Sequence, residues 1–110
     1  EASSYRDLDN IYEYIAEALM EPGNSSKLIN SLQDAIFSLE NIPYRGVLIK
    51  TSPYANKGYR QIFVGNFTVV CRIAEAKKMV LVIIVDIQKA SFKKLMLILS
   101  YKQEYLIVMN

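Results

Sequence analysis

The sequence predicts an α+β fold, a helical hairpin packed on a twisted antiparallel sheet of about four to five strands. Two observations predict the hairpin and the sheet. Apolar residues recur at helical spacing up to Leu39 and then give way to short β-branched and aromatic runs punctuated by Gly, Pro and Asn. A third observation adds a strand: the chain opens directly on a helix and closes on the apolar run Tyr105 to Met109, which is expected to join the sheet. At 110 residues, with 52 % hydrophobic and 22 % charged residues, the chain is long enough for one core, so a single domain spanning residues 1–110 is expected.

Each element has its own signal. Ser4-Tyr5-Arg6-Asp7 has the form of a capping box, a hydroxyl followed three residues later by a carboxylate. Leu8, Ile11, Ile15 and Leu19 then mark the apolar stripe of an amphipathic helix with an acidic outer face. Glu21-Pro22-Gly23-Asn24 breaks it, and Ser25 or Ser26 caps a second helix with the stripe Leu28, Leu32, Ala35, Ile36 and Leu39, ended by Pro43. The short connection makes the pair an antiparallel hairpin.

Val47 to Ile49 reads as a short strand, and Thr51 to Gly58 as an exposed loop. Tyr59 to Val64 and Phe67 to Ala74, separated only by Gly65-Asn66, carry the signature of a β-hairpin. After the turn Glu75 to Lys78, Met79 to Val85 is apolar at every position, as in a strand covered on both faces. Lys89 to Leu99 mixes bases with apolar residues and predicts a short amphipathic helix.

Composition excludes several classes of function. There is no histidine, which removes the commonest zinc ligand and general base. The single cysteine, Cys71, has no partner for an internal disulfide, so a reducing cytoplasm is the expected location. The longest apolar run is far shorter than the ~20 residues of a membrane helix, so no membrane partner is expected. Charge is unevenly divided. Residues 1–43 carry two bases against eight acids, and residues 44–94 carry ten bases against two acids. A cationic sheet half attracts polyanions.

The segments "DLDNIYEYIAEAL", "LINSLQDAIFSLENIPYRG" and "GYRQIFVGNFTVVCRI", in that order, resemble the RelE/ParE superfamily of bacterial toxins from type II toxin–antitoxin systems. The resemblance covers residues 1 to about 95. Members usually begin with a strand, and joining "YKQEYLIVMN" to "EASSYRDLDNIYEYI" restores that start, so a circularly permuted order is the expectation here.

The resemblance implies one of two activities. RelE-type members are metal-independent endoribonucleases that cut messenger RNA on the ribosome. ParE-type members keep the fold, lack that catalytic set and inhibit DNA gyrase. The first is the leading expectation, because of the basic sheet half. A gyrase inhibitor, or a non-toxic binding module with the same fold, is the alternative. Either toxin implies an antitoxin partner and no cofactor.

For a nuclease, the family pattern assigns catalytic roles to Arg60, Arg72 and Lys89, whose charge would stabilise the phosphorane formed when a 2′-hydroxyl attacks the adjacent phosphate. Lys50, Lys57, Tyr59 and Phe92 are the expected substrate-binding residues. Alternation along Phe67 to Ile73 puts Arg72 on the face opposite Cys71, and Arg60 is expected to share Arg72's open face as an anion clamp. Ile62, Val64 and Thr68 stand where nuclease members carry further bases.

Overall fold

The structure, a computed structural model, describes the backbone of residues 2–90 and 102–110 and the side chains of residues 7–88 and 104–110. Two helices, α1 (Ala2–Met20) and α2 (Ser26–Ser38), precede strands β1 (Val47–Leu48), β2 (Tyr59–Val64), β3 (Phe67–Ala74) and β4 (Met79–Asp86). A four-residue helix, α3 (Ile87–Ala90), and the strand β5 (Lys102–Val108) follow. The rest of the helix expected over Lys89 to Leu99 falls on residues outside those described. The strands form one antiparallel sheet in the order β1-β2-β3-β4-β5. The α+β architecture is the expected one, and the C-terminal strand does pair into the sheet, against β4.

Both helices cover one face. Ile11, Ile15 and Ala18 of α1 and Ile29, Leu32 and Ile36 of α2 bury against Phe67, Val69 and Cys71 of β3 and Val80, Val82 and Ile84 of β4. Each such Val, Leu, Ile or Phe side chain taken fully out of water stabilises the fold by roughly 1.5–3 kcal/mol. Tyr105 and Ile107 complete this core from β5. The helical stripes differ from expectation in two places. Leu19 is exposed, its place in the core taken by Ala18, and Ile29 is buried beside Leu32.

The N-terminal cap also differs. α1 already begins at Ala2, so Ser4 lies inside the helix rather than at its cap. Asp7 has another use: its carboxylate accepts the main-chain N–H of Leu106 at 2.8 Å, across to the outer edge of β5. α2 is capped as expected, with the Ser25 hydroxyl accepting the Leu28 N–H at 3.1 Å.

In the β2–β3 turn Gly65 has φ +57°, and a Cβ there would sit 2.5 Å from Leu28 Cδ1. Glycine at the first turn position is what a two-residue hairpin of the II′ kind requires. That turn sets Val64 opposite Phe67 and the rest of the register with it.

A smaller apolar cluster lies on the other face of the sheet. Ile49, just past β1, is buried there with Val70 and Ile83, flanked by Tyr59, Leu81 and Val85.

Candidate functional site

The open face of the sheet carries the best-formed cluster of polar and aromatic side chains. Tyr59 and Arg72 stand directly opposite each other on β2 and β3, and the guanidinium lies 5.5 Å from the Tyr59 ring centroid. Tyr54, from the β1–β2 loop, meets the same ring edge-on, with centroids 5.0 Å apart. The loop is held at this end because the Ile49 N–H donates to the Tyr59 carbonyl at 2.8 Å. Tyr54, Tyr59 and Arg72 therefore form a short ladder above the apolar floor of Ile49, Val70 and Ile83. The cation–π contact contributes about 0.5–1 kcal/mol at an exposed position.

Lys50 and Lys57 are both exposed on the same loop. Lys50 lines a cleft of about 420 Å³ with Leu48, Ile49, Asn56 and Gly58. The loop that carries Lys50 and Lys57 thus adjoins the end of the sheet that holds Tyr59 and Arg72.

Arg60 does not join them. It pairs with Cys71, one residue out of step with the pair Tyr59 and Arg72, and so points to the helix-covered face together with Ile62 and Val64. The anion clamp expected from Arg60 and Arg72 on one face is corrected by this register. The signal was present in the sequence: a two-residue turn at Gly65-Asn66 pairs residue 64 with 67 and therefore 60 with 71. Arg60 is instead occupied with the chain between α2 and β1. Its Nη1 donates to the carbonyls of Gly46 at 2.9 Å and Tyr44 at 3.3 Å, and its guanidinium lies 5.3 Å from the Tyr44 ring centroid. The Tyr44 hydroxyl in turn donates to the Glu75 carboxylate, a bond that raises the tyrosine's pKa.

Lys89 belongs to α3, which follows Asp86, the residue opposite Phe67. That is the far end of β3 from Arg72, roughly 17 Å away at ordinary strand rise. Phe92 lies outside the described residues. Of the seven residues singled out from sequence, Tyr59 and Arg72 are in contact on the open face, with Lys50 and Lys57 exposed on the adjoining loop.

Cys71 lies beneath the helices, where burial pushes its thiol pKa up against the opposing pull of Arg60. A protonated, buried thiol is a packing group rather than a nucleophile.

With this geometry fixed, a comparison with family models becomes informative. The model described as ParE toxin of type II toxin-antitoxin system, parDE, matches residues 3–92. The chain belongs to this toxin family. Membership implies an antitoxin partner. A search of curated proteins and a search of solved structures each returned no match. Among the described residues, no helix of this ParE-family toxin is long and apolar enough to cross a membrane.

Two exposed apolar residues away from the Tyr54, Tyr59 and Arg72 ladder were not singled out from sequence. Phe63 and Val47 are 69 % and 68 % exposed on the open face of β2 and β1. The signal at Phe63 was an aromatic residue standing where strand alternation calls for a polar one.

Proposed function

We propose that this ParE-family toxin arrests growth in the cytoplasm by binding DNA gyrase, without cutting RNA. One observation carries the reading: Arg60 and Arg72 lie on opposite faces of the sheet. Phosphoryl transfer needs charge converging on one phosphorane. Here the open face presents Arg72 alone among the described arginines. Glu104, the described carboxylate on that face, stands opposite Ile83, whereas Arg72 stands opposite Leu81. Ideal sheet spacing puts the two Cα positions roughly 12 Å apart, on strands separated by β4.

What the open face does present suits a protein target. An arginine and two tyrosines over a buried apolar floor are the residue types that dominate protein–protein contacts. The exposed Lys50 and Lys57 would supply the electrostatic rim.

A second reading keeps some support. Stacked tyrosines next to a guanidinium also accept nucleic-acid bases, so a ribosome-dependent messenger RNA nuclease using Arg72, Tyr59, Lys50 and Lys57 is the alternative. Two assays decide. Purified toxin is expected to block supercoiling by gyrase in a concentration-dependent way. Induction in cells is expected to arrest growth and leave messages intact in primer extension. Unimpaired supercoiling together with cuts at ribosomal A-site codons would reverse the assignment. Normal growth on induction would point to a non-toxic binding module.

A further inference from the structure

The three arginines whose side chains are described are employed differently. Arg45 donates to the Ser38 hydroxyl at 2.6 Å, and Arg60 donates to the carbonyls of Gly46 and Tyr44. Arg72 is exposed and donates to no described group. It is nevertheless held in place. Its guanidinium lies 5.5 Å from the ring centroid of Tyr59, directly across the strand pair. Tyr54 meets that ring edge-on, and Tyr59 is itself half-buried against Ile49, Val70 and Ile83. The result is a planar fork of N–H donors with its position set and its hydrogen bonds unspent.

The surroundings of this fork are aliphatic. Arg72 shares a cleft of about 320 Å³ with Ile73, Ala74 and Leu81. Leu81 is its partner across on β4, and Val70 is the next residue on the same face of β3. None of these carries a charge, and the exposed Lys50 and Lys57 lie on the loop before β2 rather than along β3 or β4. A nucleic-acid strand presents a charge roughly every 3.4 Å, so a tract of it laid here would need a row of cations. One guanidinium beside an aliphatic wall instead fits one Asp or Glu side chain. Its two coplanar oxygens match the fork, and its methylene stem matches Ala74 and Leu81.

We propose that Arg72 recognises a single carboxylate on the target protein through a two-point hydrogen bond, and that Tyr59 is the positioning residue that holds the guanidinium ready for it. This rests on the reading of the open face as a surface for gyrase. A free arginine side chain loses rotamer freedom when it is fixed in a contact, and stacking on Tyr59 beforehand lowers that cost. Lysine could keep the charge at position 72 but offers no fork. Tyr54 acts one step further out, through its edge contact with Tyr59.

The test measures binding of the whole purified toxin to purified gyrase without DNA, with inhibition of supercoiling followed in parallel. Arg72→Lys is expected to weaken binding by on the order of tenfold, although the charge is kept. Tyr59→Leu is expected to weaken it about two- to fivefold with Arg72 in place, and to add no loss in an Arg72→Ala background. Tyr59→Phe keeps the ring and should restore most of that loss. A purely structural role for Tyr59 would weaken binding equally in both backgrounds. Full-strength binding by Arg72→Lys, or additive losses in the double variant, overturns this inference and leaves gyrase as the target. Binding that needs DNA overturns it as well, because a phosphate would then occupy the fork. Arg72 is exposed, so its Lys variant decides the matter even where Tyr59→Leu does not fold. Wild-type toxin that neither binds gyrase nor blocks supercoiling overturns the proposed function and this inference together.

Discussion

The carboxylate of Asp7, on the first helix, accepts the main-chain N–H of Leu106 on the last strand at 2.8 Å, although 99 residues separate them in sequence. This bond satisfies one outward group of β5 and ties α1 to the sheet. Replacing Asp7 by Ala leaves a partly buried N–H without its acceptor, at a cost of about 1–2 kcal/mol. Asp7→Asn keeps an acceptor oxygen and should lose less. Urea unfolding of the three proteins is expected to rank them wild type, Asn, Ala, with the Leu106 amide exchanging faster in the Ala variant alone.

Arg60 leads to a second expectation, and a nuclease site would predict the opposite. Its donors hold the Gly46 and Tyr44 carbonyls, so Arg60→Ala frees the α2–β1 connection. A charged donor lost from the partly buried Gly46 carbonyl costs roughly 1–2 kcal/mol. The variant should show a lower Tm and yet arrest growth at a temperature where it remains folded. A folded Arg60→Ala protein without toxicity would return Arg60 to the functional surface.

Arg72 and Tyr59 carry the complementary prediction. Arg72 is exposed and its contact with Tyr59 is worth only about 0.5–1 kcal/mol. Arg72→Ala should therefore leave the unfolding midpoint nearly unchanged. Toxicity should fall, because an arginine at the centre of a contact surface commonly costs 2 kcal/mol or more when truncated, roughly thirtyfold in affinity. The measurement is a dose–response of growth arrest beside a thermal melt. Full toxicity after Arg72→Ala would move the functional surface elsewhere.

These variants also mark where sequence was legible. The β2–β3 hairpin could be read from one dipeptide because only glycine tolerates φ +57° beside Leu28. The apolar face of β3 followed from alternation, and Phe67, Val69 and Cys71 do lie under the helices. The start of α1 was not legible, since what engages Asp7 is a main-chain group on a strand far along the chain. A local motif says nothing about such a partner. The placement of Arg60 required counting register through the turn rather than judging each strand's polarity alone. The apolar floor of Ile49, Val70 and Ile83 depends on β1 ending at Leu48, opposite Arg60, and on Ile49 folding over the open face. No local propensity sets where those tertiary contacts fall.

The last expectation concerns alkaline pH. Burial, with Glu17, Asp7 and Glu13 nearby, pushes the Tyr105 pKa from 10.0 up to about 12. Tyr14, whose ring centroid lies 6.4 Å away, is raised further by burial and by Asp86, Tyr105 and Glu21. A phenol whose folded-state pKa is raised favours the folded state fully below the unfolded value. That advantage is lost as pH climbs from the unfolded pKa through the folded one, because the unfolded chain ionises first. Stability should accordingly begin to fall near pH 9, where the unfolded chain's Cys71 thiol ionises, and fall more steeply from about pH 10 as its tyrosines do. Tyr105→Phe removes one of these ionisations, so its stability should decline less steeply above about pH 10. Urea midpoints for the wild type and Tyr105→Phe at several pH values check this. Parallel curves would mean that Tyr105 ionises equally well folded and unfolded, and that the packing of α1 against β5 leaves its hydroxyl in contact with water.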